Sequence, residues 1–327
     1  MLFSSSPLKK AGALVVSLAI FSLASAAPAL AERLACASYP VWLIARYLTD
    51  GAERFQPELI TNPATGCPHD FAPTPRDLER LTQTFYLFKN GLDLETYLDK
   101  ALRVAPPDIV VIDASAGVPT LSMAWGRMDL GGSQRDDYGR LPTSVPNPHI
   151  FMSPKFAKIM AANLASKLKE LDPMGANIYE ARLASFTADM ESLEEAIAAF
   201  KATRRGYKAV TSHGFLDYLA QDLGLAILAD LSPSGTEAPP SAARLRAIAD
   251  LVKQERVTAI FVDPEADPGP ARTLSRETGA AAAVIDPATS GPANPPLDYY
   301  QMVLKEDLAL FEEIFPPNYS PPGGDGS

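Results

Sequence analysis

Short runs of apolar residues recur along the chain, and each run ends in polar or turn residues. Runs of this length are typical of buried strands, whereas most segments between them carry the apolar spacing of amphipathic helices. Strands that alternate with helices form parallel sheets, so the pattern predicts an α/β fold. The predicted strands cover residues 34–38, 59–61, 85–88, 109–112, 209–211, 226–228, 259–262 and 282–285.

Two helices have clear signals at their starts. Thr74-Pro75 and Ser153-Pro154 each offer a hydroxyl that can cap a helix, followed by proline at the first helical position. After Ser153, one apolar stripe predicts a helix that ends near Asp172. The stripe consists of Phe156, Ile159, Met160, Leu164, Leu168 and Leu171.

A longer helical segment occupies the middle of the chain. Its apolar residues recur at alternating steps of four and three, and no proline or glycine interrupts residues 176–205. About 28 residues at 1.5 Å each form a rod of about 42 Å. Such a stripe also suits a coiled-coil dimer. We interpret it as a stiff connector, because four predicted strands precede it and four follow. The stripe residues are Tyr179, Leu183, Phe186, Met190, Leu193, Ile197 and Phe200.

This organisation predicts two lobes, each a four-stranded, mainly parallel sheet flanked by helices, joined by one long rigid helix. The predicted segments are a signal peptide at 1–31, an N-terminal α/β lobe at 32–174, the linking helix at 175–203, a C-terminal α/β lobe at 204–315 and a flexible tail at 316–327. The tail is rich in proline and glycine and poor in apolar residues.

The N-terminus has the features of a secretory signal peptide. Lys9 and Lys10 precede a mostly apolar stretch at 11–23, and residues 29–31 read Ala-Leu-Ala, the pattern of a signal peptidase site. The stretch is shorter than the roughly 20 residues of a membrane helix, which disfavours an N-terminal anchor. A lipoprotein anchored at Cys36 is also disfavoured, because charged residues stand where a lipidation signal needs apolar ones. We therefore expect an exported protein that does not insert into the membrane.

The charge balance limits the classes of partner. The chain has 29 Lys and Arg against 39 Asp and Glu, a formal charge of -10, and no cluster of Lys and Arg. This balance argues against charge-driven binding to nucleic acid or to anionic membranes. The 2 cysteines are too few for a disulfide scaffold or a Cys-rich zinc module.

The 3 histidines are the strongest chemical signal. His213 ends a predicted strand and leads directly into a helix. His69 and His149 each lie a few residues before one of the capped helix starts. The carboxyl ends of parallel strands face the ligand crevice of an open α/β sheet, so the three imidazoles are expected to converge there. Taken one at a time, each residue also fits a structural or surface histidine.

Two aspartates are candidates for a fourth ligand. Asp263 and Asp286 each end a predicted strand and are followed by proline, a context that also suits a turn or cap. Their spacing does not choose between them.

At these residues the sequence resembles the zinc and manganese solute-binding proteins of bacterial ABC importers. The resemblance covers nearly all of the mature chain, and the combination of motifs is specific. The motifs are CPHDF at 67–71, PTPRD at 73–77, NGLDLE at 90–95, NPHIFMSPK at 147–155, TSHGF at 211–215, IFVDP at 260–264 and VIDP at 284–287.

The resemblance implies two α/β lobes joined by a long helix, with the metal in the cleft between them. Carried over by position, His69 and His149 bind from the first lobe, and His213 and Asp286 from the second. The family also implies an ABC transporter permease with its cytoplasmic ATPase as partner, and we expect a monomer. Three imidazoles and one carboxylate suit tetrahedral Zn²⁺, and the third position tends to be a carboxylate in manganese binders.

The chain departs from the family in two places. Residues 114–148 contain no histidine, although many zinc-binding members carry a His-rich loop there. Cys67 stands two residues before a proposed ligand, and in an oxidising compartment it is a candidate for a disulfide with Cys36, the alternative being two separate thiols. Asp70 is either a residue that orients an imidazole or a solvated loop carboxylate.

Several function classes fit a metal-binding exported protein. The prediction is a periplasmic solute-binding protein that captures Zn²⁺ and delivers it to an ABC importer. A manganese- or iron-binding importer component, a secreted zinc hydrolase and a surface adhesin are the alternatives. A hydrolase keeps a coordination position open for water beside a general base. Four ligands without a base motif favour capture, so we do not expect an enzyme.

Overall fold

The structure is a computed structural model that describes Met1 and residues 31–64, 66, 68, 71–103, 107–124, 126–128, 145–232 and 240–317, except for the Asp99 side chain. The predicted signal peptide from residue 2 to 30, the predicted tail beyond residue 317, and Cys67, His69 and Asp70 lie outside these residues. Within the described ranges, no helix has both the length and the apolar character needed to cross a bilayer.

The strands form two separate sheets, as the sequence predicts. The described strands are β1 Glu32–Cys36, β2 Phe55–Leu59, β3 Tyr86–Lys89, β4 Val110–Asp113, β5 Lys208–Thr211, β6 Ala226–Asp230, β7 Ala259–Val262 and β8 Ala281–Val284. The strand orders are β2-β1-β3-β4 and β6-β5-β7-β8, and every pairing is parallel. We refer to the halves built on these two sheets as the first and second lobes.

Helices follow most strands, as parallel connections require. The described helices are α1 Tyr39–Thr49, α2 Pro75–Thr82, α3 Leu98–Ala101, α4 Pro154–Leu171, α5 Ala176–Thr203, α6 Asp217–Leu223, α7 Ala242–Glu255, α8 Gly269–Thr278 and α9 Tyr299–Ile314. Short 3₁₀ helices, Ile150–Met152 and Gly214–Leu216, precede α4 and α6. The predicted cap of α2 is confirmed, because Thr74 and Asp77 form a reciprocal capping box.

Both faces of each sheet are covered, and the side chains alternate between them. In β1, Leu34 and Cys36 join one large core cluster, whereas Ala35 joins a smaller cluster within the first lobe. In β7, Phe261 joins the same large cluster, and Ile260 joins a cluster within the second lobe. The large cluster therefore includes residues from both sheets, which ties the two lobes together.

The long central helix is confirmed as α5, with 28 residues. Its apolar stripe packs against α1 and α4 of the first lobe and α6 and α9 of the second. Phe186, for example, has its ring centroid 5.6 Å from that of Tyr47 and 5.9 Å from that of Tyr300. The chain's own helices thus cover the stripe that also suited a coiled-coil partner.

Two details differ from the sequence-based expectation. Strand β2 lies about four residues before the predicted position, because Pro57 and its polar neighbours hide the apolar pattern; proline is tolerated there because β2 is an edge strand. The Ser153 hydroxyl does not cap α4. It donates instead to the carboxylate of Asp222 in α6 at 2.5 Å.

Candidate metal centre

Two of the predicted metal ligands are neighbours in the structure. His213 follows β5, and His149 stands immediately before the 3₁₀ helix that leads into α4. The centroids of the two imidazole rings are 5.1 Å apart. His149 is fully buried and His213 is 9% exposed. The two rings are therefore close enough for one small ion to lie between them.

An asparagine two residues away supports His149. Asn147 Oδ1 accepts the backbone N–H of His149 at 3.0 Å and lies 2.8 Å from its ring Nδ1. Asn147 Nδ2 donates to the carbonyl oxygen of Gly214 at 2.6 Å and to the carboxylate of Asp217 at 2.9 Å. Asn147 thus links the loop of His149 to the residues that directly follow His213.

Arg127 contacts the other side of Asp217. Its Nη1 lies 2.6 Å from Asp217 Oδ1, and its Nη2 lies 2.7 Å from Asp230 Oδ1. Burial raises the pKa of Asp217 to about 7, with Arg127 lowering it and Asp230 raising it. Arg127 belongs to the segment that follows β4, whereas both aspartates belong to the second lobe. The ion pairs therefore join the two lobes beside the histidines.

A carboxylate supports His213. Asp263, which follows the neighbouring strand β7, places Oδ2 3.3 Å from His213 Nδ1 and accepts the Ser212 hydroxyl at 2.7 Å. Its Oδ1 accepts the backbone N–H groups of Glu265 and Ala266 at 3.2 and 3.0 Å. Burial alone raises the pKa of Asp263, but the contacts with His213 and Ser212 lower it below its usual range. These contacts occupy both oxygens of Asp263 and leave it little capacity for a metal.

Asp286 follows β8, the strand beyond β7 in the same sheet. Its backbone N–H donates to Asp307 Oδ1 at 3.1 Å, and its Oδ1 accepts the backbone N–H of Ala288 at 2.8 Å. The side chain is partly exposed. Burial and the nearby Glu306 raise the pKa of Asp286, and the Ala288 N–H opposes them. As a ligand, Asp286 stays a prediction.

The fourth proposed ligand, His69, lies outside the described residues, and so does Cys67. Among the side chains that the structure describes, no three His, Cys, Asp or Glu residues form a group able to hold a metal ion. Cys36 is buried and forms no disulfide with a described residue, and because Cys67 is not described, the Cys36–Cys67 disulfide stays a prediction.

Sequence reasoning missed most of the residues that support the histidines. Asn147 gave a weak signal, because asparagine often bonds the backbone two residues ahead. The sequence offers Asp263 as a ligand or as a turn former, and the structure shows the turn contacts with Glu265 and Ala266 together with a contact to His213 that the sequence does not signal. Arg127 and Asp217 gave no signal, because their partners lie far away in the chain.

The chain is similar to known metal-binding proteins in sequence and in structure. A family model described as zinc-uptake complex component A, periplasmic (ZnuA), matches residues 35–313. The chain is 26% identical over 282 residues to the high-affinity zinc uptake system protein ZnuA of Yersinia pestis, covering 83% of this chain and 86% of the relative.

Two further matches are a protein named for iron and a structure solved with manganese. The iron-binding protein YfeA of Yersinia pestis is 27% identical over 230 residues, covering 68% of this chain and 67% of the relative. The solute-binding protein FpvC of Pseudomonas aeruginosa, solved in complex with Mn²⁺, has a TM-score of 0.73 at 22% identity, covering 87% of this chain and 98% of that one. The FpvC match supports the fold.

Proposed function

The chain belongs to the family of periplasmic zinc-uptake complex components A (ZnuA), and we propose that it captures Zn²⁺ outside the cytoplasmic membrane and delivers it to the permease of an ABC importer. The cytoplasmic ATPase of that importer drives uptake. The protein then acts in the periplasm as a soluble carrier after removal of its signal peptide. We expect a monomer, with a Cys36–Cys67 disulfide as an additional prediction.

The observation that carries this proposal is the pair of buried imidazoles. The rings of His149 and His213 lie 5.1 Å apart, and each Nδ1 is next to a protein oxygen, from Asn147 and Asp263 respectively. Histidines that bind metal through Nε2 usually donate the other ring N–H to a carbonyl or carboxylate oxygen. The oxygens of Asn147 and Asp263 therefore leave Nε2 of each histidine able to bind a metal.

We propose His69 and Asp286 as the remaining ligands. Three imidazoles and one carboxylate form a tetrahedral site that suits zinc. Four protein ligands close the coordination sphere and leave no position for a catalytic water. Capture therefore fits this ligand set better than hydrolysis.

Purification without added metal tests the proposal, followed by competition titration against a zinc chelator. We expect bound zinc in the parent protein and a large loss of affinity in His69→Ala, His149→Ala, His213→Ala and Asp286→Ala. Circular dichroism checks that each variant folds. A variant that folds and binds zinc as tightly as the parent removes its residue from the site. A parent that binds no zinc overturns the proposed function.

Manganese or iron is the second candidate cargo, because relatives named for iron and for manganese match 68% and 64% of the chain. Imidazole-rich sites bind zinc more tightly than manganese, so a simple preference for zinc is weak evidence. Measuring which metal is bound to the protein isolated from the periplasm distinguishes the two candidates. Mostly manganese or iron in that protein would favour the second candidate.

A further inference from the structure

We propose that Asn147 is a positioning residue that fixes His149 in the form protonated on Nδ1, and that Arg127 holds Asn147 in place through Asp217. The inference deepens the proposed function and rests on it, because it concerns how one proposed zinc ligand is oriented.

The orientation of the Asn147 amide follows from its neighbours. One end of the amide faces the backbone N–H of His149, which can only donate, so that end must be the oxygen. The other end faces a carbonyl oxygen of Gly214 and a carboxylate oxygen of Asp217, which accept, so it must be the NH₂ group. A reversed amide would lose all three hydrogen bonds in a fully buried place.

The amide orientation then determines where the proton of His149 sits. The ring Nδ1 lies 2.8 Å from Asn147 Oδ1, an acceptor, so a neutral imidazole must carry its proton on Nδ1. Its Nε2 keeps a lone pair, which is the electron pair that a metal needs. Asn147 therefore selects the tautomer that can bind zinc through Nε2.

Arg127 stabilises this arrangement from the first lobe. Asp217 accepts from Asn147 through Oδ2 and contacts Arg127 through Oδ1. Arg127 also contacts Asp230 through Nε and Nη2, so one guanidinium serves two buried carboxylates. Without Arg127, these two carboxylates would lose their common cation. Asp217 would then lose the contact that holds it against the amide.

Asn147 lies at one of the places where the two lobes are in contact. Its backbone N–H donates to the Leu121 carbonyl oxygen at 2.8 Å, and its carbonyl oxygen accepts the Tyr218 hydroxyl of α6 at 2.7 Å. Arg127 reaches the second lobe in the same region, where the Met128 N–H donates to the Leu228 carbonyl oxygen at 2.8 Å. His149 is therefore oriented only when the segment after β4 is docked on the second lobe.

The test combines nitrogen NMR of protein carrying ¹⁵N-labelled histidine with zinc competition titrations. In the metal-free parent, the His149 ring should carry its proton on Nδ1. Asn147→Ala should lose this preference and weaken zinc binding by about 10- to 100-fold. Arg127→Gln should also weaken the tautomer preference of His149 and the zinc affinity, but less than Asn147→Ala does. Arg127→Lys keeps a cation and should lie between Arg127→Gln and the parent in both measurements.

Arg244→Gln is the matched control. Arg244 donates to the backbone carbonyl oxygens of Asp230 and Leu231, so its loss removes a partly buried arginine next to Asp230 without removing a partner of Asp217. We expect the parent tautomer and the parent zinc affinity in this variant. A comparable loss in Arg244→Gln would show a general effect of losing an arginine and would overturn the role of Arg127.

The outcomes separate this inference from the proposed function. A proton on Nε2 of His149 in the metal-free parent overturns the inference, even if no variant folds. Parent-like zinc binding and tautomer in Asn147→Ala overturn it as well, while a loss of binding in His149→Ala keeps the proposed function. Parent-like zinc binding in His149→Ala removes His149 from the site, and with it the premise of the inference.

Discussion

The two adjacent histidines are held in different ways. His213 depends on residues of one sheet, because Ser212 and Asp263 follow the neighbouring strands β5 and β7. His149 depends on the Asn147 amide, which accepts the backbone N–H of His149 itself and donates to Gly214 and Asp217 of the second lobe. A carboxylate also makes the opposite ring nitrogen more basic than an amide does. His213 is therefore oriented by residues of one lobe, whereas His149 is oriented as a ligand only when the two lobes are in contact.

Replacing His213 itself should give the largest effect. His213→Glu removes an imidazole and places a second carboxylate beside that of Asp263. We combine it with Asp263→Asn, because the asparagine amide can donate a hydrogen bond to the new glutamate. Losing a residue that only orients a ligand typically lowers metal affinity by about 10- to 100-fold. The loss of zinc affinity in this variant should be larger, because a ligand itself is replaced. The preference for zinc over manganese should narrow, because manganese favours oxygen ligands. Competition titrations with both metals measure this, and an unchanged preference would contradict zinc selection by His213.

Asp263→Asn alone should reverse the tautomer of His213. The amide oxygen keeps the backbone N–H groups of Glu265 and Ala266, so the NH₂ group faces His213 Nδ1 and forces the proton to Nε2. We expect zinc affinity to fall by about 100-fold, the upper end for such partners. Asp267→Asn, an exposed position in the same loop, is the control. If Asp263→Asn binds zinc like this control, the carboxylate does not orient His213.

Tyr218→Phe tests the dependence of His149 on lobe assembly. The Tyr218 hydroxyl donates to the Asn147 carbonyl oxygen at 2.7 Å and accepts the Leu121 N–H at 3.0 Å. Tyr97→Phe is a matched control, because the buried Tyr97 hydroxyl donates to the Ala37 carbonyl oxygen within the first lobe. Each change should lower the free energy of unfolding by about 1–3 kcal/mol, since buried partners stay unsatisfied. Only Tyr218→Phe should also weaken zinc binding, by a modest factor in titrations.

Glu95 supports the His149 loop from the first lobe and should affect stability more than zinc binding. It accepts the backbone N–H of Asn90 at 2.7 Å, and Asn90 Nδ2 donates to the Pro148 carbonyl oxygen at 2.9 Å. Burial raises the pKa of Glu95 from 4.5 to about 7, although hydrogen bonds from Asn90 and Gly91 oppose the shift. The folded state therefore holds this proton more tightly than the unfolded state does.

The contribution of Glu95 is then fully present below pH 4.5 and is lost as the pH rises to about 7. The loss amounts to about 3 kcal/mol in the free energy of unfolding. Glu95→Gln should flatten this part of the pH profile of the metal-free protein, measured by denaturant unfolding. Glu191→Gln, on the exposed side of α5, should keep the parent profile. An equal slope in Glu95→Gln and the parent would contradict the assignment.

Much of the fold could be predicted because its signals are local. The apolar stripe from Tyr179 to Phe200 and the capping box at Thr74 depend on residues a few positions apart, and both are found in the structure. The predicted position of strand β2 is wrong because Pro57 breaks the apolar pattern. The proline is tolerated because β2 is an edge strand, which the sequence does not show.

The site was predictable only in part. The carboxyl-end rule for parallel strands accounts for His213, which follows β5, whereas His149 reaches it from the loop before α4. The partner of Ser153 is Asp222, which lies 69 residues later, and the partner of Arg127 is Asp230, 103 residues later. Sequence spacing carries no information about contacts of this range, so the network around Asn147 needed the three-dimensional structure.

The most direct test of zinc capture by the two imidazoles is NMR of the protein loaded with ¹¹³Cd in place of zinc and carrying ¹⁵N-labelled histidine. Coupling between cadmium and nitrogen identifies each bound ring atom. We expect one cadmium resonance coupled to Nε2 of His149, Nε2 of His213 and one nitrogen of His69. Coupling through Nδ1 of His149 or His213, or a bound cadmium coupled to neither ring, would contradict the account.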